Sequence, residues 1–188
     1  MGTIKATNIE PIADNGTVTL GSSGDTITVP TGATFSAPGI ANTPYFYGEL
    51  ASNQTITRAT FTKVTGLTQN ELDSASAFDG TTFTVPSGQG GKYYLEGVVT
   101  GDYSAIGQDG ENTVALIYKN GSGIKSGKWQ NNSGTGQTGS EITVTASGIF
   151  NLSASDTIEL YTYLLDSSGG NASAQASRTS LMGYKIIG

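Results

Sequence analysis

The 188 residues set a limit of one domain with an arm, or two very small domains. Hydrophobic residues are 36% and charged residues 13% of the chain, both below the usual shares of about 45–50% and about 25%. The 27 Gly, together with abundant Ser, Thr and Asn, favour strands and turns. With no His and no Cys, the chain has no Ser-His-Asp triad, Cys-His pair, zinc site of His or Cys, His-held haem, thiol redox centre or disulfide. A net charge of −6 without any Lys/Arg cluster leaves no footprint for nucleic acid.

The start, Met1-Gly2-Thr3-Ile4-Lys5, opens no apolar run of signal length. No stretch approaches the ~20 apolar residues of a membrane span, so no membrane insertion is expected. Residues 1–43 read as an extended arm. Ile4, Ile9 and Ile12 lie in an extended run that Pro11 keeps from being helical. Thr17-Val18-Thr19-Leu20 and Thr26-Ile27-Thr28-Val29-Pro30 alternate on either side of Gly21-Ser22-Ser23-Gly24-Asp25, a hairpin signal. Val18, Leu20, Ile27 and Val29 would then share one face, with Phe35 following in a linker. Four aliphatic residues make no core, and a lone hairpin is marginal in water. The arm is therefore expected to order on a partner through Ile4, Ile9, Ile12, Val18, Leu20, Ile27, Val29 and Phe35.

Residues 44–188 read as an all-β domain. Strands are expected at Tyr45–Leu50, Thr55–Val64, near Phe78, Thr81–Val85, Lys92–Gly101, Asn112–Lys119, Glu141–Thr145 with Gly148–Leu152, Thr157–Leu165 and Arg178–Ile187. Thr68–Asp73 reads as an irregular loop. Turns are marked by Asp79-Gly80, Lys119-Asn120-Gly121 and Ala154-Ser155-Asp156, among others. Many short, evenly spaced strands indicate a sandwich or barrel. A Gly/Ser-rich loop is expected over Ser126–Ser140, polar except for Trp129.

The order of these signals carries a resemblance. Phe83-Thr84-Val85-Pro86 followed by Gly91-Lys92-Tyr93-Tyr94 is its most specific part. Lys119-Asn120-Gly121, Leu152-Ser153-Ala154-Ser155-Asp156 and the closing Ser180-Leu181-Met182-Gly183-Tyr184 complete it. Over residues 44–188 the chain resembles the globular head of complement component 1q and its tumour-necrosis-factor-like relatives. Two positions depart from that pattern: Leu181 stands for the final aromatic, and Ser155 for the Gly before Asp156. The resemblance implies a jelly-roll β-sandwich that assembles as a homotrimeric head. The segment from Asn15 to Thr34 is similar to amino-terminal modules of virion structural proteins from marine tailed phages. Together the two resemblances imply a non-enzymatic virion protein. It would be a trimeric exterior decoration or fibre-type head, made in the host cytoplasm and held on the virion exterior. Its arm would bind a major capsid or tail protein.

Four candidate sites follow. Tyr161 and Tyr163 lie on the strand face opposite Ile158, Leu160 and Leu164, and Tyr45 and Tyr47 alternate with Phe46 in the same way. Exposed aromatic rows mark interfaces, so these four Tyr are expected at the trimer contact. Trp129, Asn131 and Asn132 form a candidate ligand loop for a host surface glycan, as in a receptor-binding tip or a secreted sugar-binding module. Asp102, Asp109 and Glu111 offer oxygen ligands suited to calcium, without the EF-hand spacing. Glu96, Glu141 and Glu159 are available carboxylates for glycoside hydrolysis, but nothing singles out a pair. No catalytic residue and no cofactor is expected.

Overall fold

The computed structural model describes residues 19, 23–33, 42–104, 110–130, 141–166 and 169–186. The chain divides into two units, residues 1–38 and 39–188. In the first unit, residues 26–30 lie in no strand, where a hairpin arm was expected. The turn at Thr31-Gly32 is closed by a hydrogen bond from Ala33 N to Pro30 O at 3.0 Å. Ile27 and Val29 are exposed, at 64% and 45%. Short Thr-rich alternation without a packed face does not by itself hold residues 26–30 in a strand. The other docking residues, Ile4, Ile9, Ile12, Val18, Leu20 and Phe35, lie outside the described residues.

The second unit is all β. Its strands are β1 (Tyr45–Glu49), β2 (Gln54–Thr55), β3 (Thr62–Lys63), β4 (Gln69–Asp73), β5 (Thr82–Thr84) and β6 (Gly91–Asp102). They continue with β7 (Gly110–Lys119), β8 (Ser122–Gln130), β9 (Glu141–Leu152), β10 (Thr157–Asp166), β11 (Ser173–Ala174) and β12 (Ser180–Lys185). The larger sheet runs β9-β6-β12-β1-β4, with β11 and β2 continuing beyond the end of β12. The smaller sheet runs β3-β10-β7-β8, and β5 pairs with β10 beside β3. Every pairing is antiparallel. The two sheets form the expected jelly-roll sandwich.

The strict period of two builds the core. In β10, Ile158, Leu160 and Leu164 are buried and Tyr161 and Tyr163 face out. In β6, Tyr93, Leu95 and Val99 face in. Phe46 stacks on Phe83 at 4.1 Å and meets Phe78 at 5.2 Å, an aromatic nucleus between the sheets. Leu181, which replaces the final aromatic, is fully buried in this core. Ser155 adopts φ 70°, so the turn keeps its left-handed geometry despite the missing Gly.

Three strands were not expected from the sequence. Thr68–Asp73 contains β4 rather than an irregular loop, and residues 126–130 of the expected loop belong to β8. β11 completes the larger sheet. The single strand expected over Thr55–Val64 is two short ones, separated by a turn in which Thr60 N donates to Thr57 O at 3.2 Å.

Candidate functional site

The outward side chains of the larger sheet line up across five strands. Register places Tyr45, Tyr184, Tyr94 and Ile149 in one row, over β1, β12, β6 and β9. The adjacent row is Leu72, Tyr47, Met182, Glu96 and Ser147, over β4, β1, β12, β6 and β9. Ile149 is 63% exposed, Leu72 58% and Tyr45 44%. Tyr94 and Tyr184 lean together with centroids 5.4 Å apart. Three of the six large apolar side chains exposed among the described residues therefore sit on one face.

The carboxylates of this face are engaged by its own polar groups. Tyr94 Oη donates to Glu96 Oε2 at 2.7 Å, and Asn70 Nδ2 donates to Glu49 Oε2 at 2.9 Å. Tyr47 Oη donates to Glu49 Oε1. Burial, reinforced by Glu49, pushes the Tyr47 phenol up to about 12. The hydrogen bond to Glu96, more than burial, raises Tyr94. Charge-assisted bonds of this kind lower the cost of removing the two carboxylates from water. The face is thus suited to being covered.

The four expected interface tyrosines are not brought together. Tyr45 and Tyr47 lie on this face, whereas Tyr161 and Tyr163 lie on the outer face of the smaller sheet. There Tyr161 stacks on Tyr118 at 3.9 Å and Tyr163 leans on Phe61 at 5.1 Å. The missed members of the first face are Tyr94, Tyr184, Met182, Ile149 and Leu72. The pair Tyr93-Tyr94 held a usable signal, since alternation sends one ring inward and the other outward.

Trp129 is placed in β8, opposite Thr113, and turns inward to pack on the core. It is therefore a core-covering residue and not an open platform in a loop. Asn131 and Asn132 lie outside the described residues. Asp102, at the end of β6, accepts hydrogen bonds from Ser104 N at 2.9 Å and Ser104 Oγ at 2.6 Å. Glu111 is in β7, and Asp109 lies outside the described residues. No group of three or more carboxylates gathers among the described residues. The three glutamates considered for glycoside chemistry are each engaged: Glu96 by Tyr94, Glu141 by Arg178 and Glu159 by Lys63. Glu159 projects from the smaller sheet, the other two from the larger.

No protein-family model and no curated protein matches the chain. Solved structures do. The globular domain of zebrafish complement 1qA superposes with a TM-score of 0.51 at 12% identity, over 77% of this chain and 98% of that one. Murine APRIL gives 0.52 at 12% identity, over 76% and 98%. The tumour necrosis factor Eiger from S. frugiperda gives 0.51 at 8% identity, over 76% and 93%. At such identities the likeness is one of fold: residues 39–188 carry the complement-1q and tumour-necrosis-factor type of jelly roll.

Proposed function

We propose that the chain is a non-enzymatic structural protein of a tailed-phage virion, a homotrimeric exterior decoration or fibre-type head whose amino-terminal arm docks on a major capsid or tail protein. The observation that carries the assembly half is the aromatic and aliphatic outer face of the larger sheet. A side chain such as Ile149 or Leu72 left in water gains by contact with a second copy. Obligate interfaces exceed about 2,000 Å², and two rows across five strands offer a surface of the right kind. The trimeric habit of the resembled heads sets the expected copy number.

The docking half rests on the arm. Ile27 and Val29 are exposed and unpaired with any strand. They suit strand addition to a partner sheet, which supplies both backbone hydrogen bonds and apolar cover. The test is incorporation into particles. Full-length protein is expected as a trimer of about three times the 19.3 kDa chain mass, present on particles. The chain lacking residues 1–38 is expected to stay trimeric and to be absent from them. Normal occupancy by the truncated head would place docking in the jelly roll and refute the role of the arm.

A further inference from the structure

We propose that the outer face of the smaller sheet holds a binding groove for an acidic saccharide, a sugar ring bearing a carboxylate. Val114 and Leu116 of β7 form the floor. Phe61 and Tyr163 form one wall, their rings tilted by 44° to each other. Lys128 of β8 stands in register beside Val114 on the far side, and Asn112 lines the groove as well. The space measures about 420 Å³, within the roughly 300–1,000 Å³ of small-ligand sites.

Each part of the lining matches one part of such a ligand. Phe61 is 48% exposed, an aromatic edge and face kept in water where the apolar C–H face of a sugar ring can cover it. Arg58, Lys63, Lys119 and Arg178 each pair with a carboxylate of this chain. Lys92, Lys125, Lys128 and Lys185 have no acidic partner among the described residues, and of these only Lys128 lines the groove. A carboxylate on the ligand supplies that partner. The side-chain oxygen of Asn112 is buried without a hydrogen-bond partner. Rotation of that amide toward the groove gives it a ligand hydroxyl. One lysine suits one carboxylate and is too few for a phosphate backbone.

The inference rests on the reading of the chain as an outward-facing head. Its test uses purified full-length protein without particles, so its failure is distinct from failure of arm docking. Calorimetric titration is run with tetragalacturonic acid, its methyl ester and trisialic acid. At least one acid is expected to bind, and more tightly than the uncharged ester. Phe61→Ala is expected to weaken binding about three- to tenfold, the worth of one aromatic contact. Lys128→Gln is expected to abolish the preference for acid over ester, while Lys125→Gln leaves it intact. Unchanged melting temperatures and trimer mass accompany all three variants. The proposal is overturned if neither acid binds, if ester and acid bind equally, or if Phe61→Ala binds as well as the parent. Loss of trimer mass in Phe61→Ala also overturns it, since the groove is then a subunit contact.

Discussion

Replacing Ile149 with Asp separates folding from assembly. Ile149 is 63% exposed on β9 and contributes no buried core volume. Within one chain the change is a surface substitution, expected to stay within about 0.5 kcal/mol. In a trimer that covers the outer face of the larger sheet, the cost is larger. Full burial of an Ile side chain is worth about 1.5–3 kcal/mol. The 63% that remains exposed therefore corresponds to about 1–2 kcal/mol per copy, and about 3–6 kcal/mol per trimer. That shift alone raises the trimer dissociation constant roughly a hundred- to ten-thousandfold. Burying an unpaired carboxylate adds to it. Sedimentation velocity at micromolar concentration reads the effect, with circular dichroism as the control for folding. Ile149→Asp is expected to sediment as a folded monomer. A variant that remains trimeric would show that this face is not the contact and would refute the reasoning.

Gly48 lies in β1 where a Cβ would meet Leu67 O and sit 2.8 Å from Phe78 Cε1, so Gly48→Ala is expected to cost about 1–3 kcal/mol in urea unfolding. Ser155 holds φ 70° at the turn before Asp156, and Ser155→Gly is expected to stabilise the head by about 1 kcal/mol in the same assay. Asp156 is held at about 2 by hydrogen bonds from Lys119, then Ser153 N and Asn120, below the usual 3.8. Its contribution is present above pH ~4 and lost as pH falls through about 2. Allowing for solvent screening of this surface pair, Asp156→Asn is expected to cost about 1 kcal/mol at pH 6 and only a fraction of that at pH 2, where the carboxylate is about half protonated. Thermal melts at the two pH values check this, and an equal loss at both would contradict it. Burial pushes the phenols of Tyr47, Tyr93 and Tyr103 up to about 12. The stability they confer is complete below pH ~10 and lost as pH rises through about 12. Absorbance titration at pH 11 is expected to find Tyr47, Tyr93 and Tyr103 protonated in the native state and ionised in urea.

The strands that were legible are those whose alternation is enforced by the core. Lys92–Gly101, Asn112–Lys119 and Thr157–Leu165 alternate apolar residues such as Tyr93, Leu95, Val99, Ile117, Ile158, Leu160 and Leu164 on their buried faces, and each lies within an observed strand. The turn Lys119-Asn120-Gly121 was equally legible, because Asn120 at φ 51° and Gly121 at φ 76° suit a two-residue hairpin. The strands that were missed bury little. In β4, Gln69-Asn70-Glu71-Leu72-Asp73, the lone Leu points outward and Asn70 breaks the pattern with φ 51°. In β8, an edge strand, only Ile124 and Trp129 pack on the core, between lysines and glycines that read as loop. Ala146-Ser147 read as a break in β9, yet the strand is continuous. The candidate interface suffered from a different gap. Alternation tells which residues face outward, but not which sheet they face outward from. Tyr45 and Tyr161 therefore looked alike in sequence and lie on opposite faces of the sandwich.

Electron cryomicroscopy of purified particles, at a resolution that shows strands, tests the virion reading most directly. Threefold-symmetric jelly-roll density is expected on the exterior. The larger sheets should face the neighbouring copies, and an extended chain from residues 1–38 should run into the capsid or tail sheet beneath. Particles that carry no such density, or a head present as single copies, would contradict it.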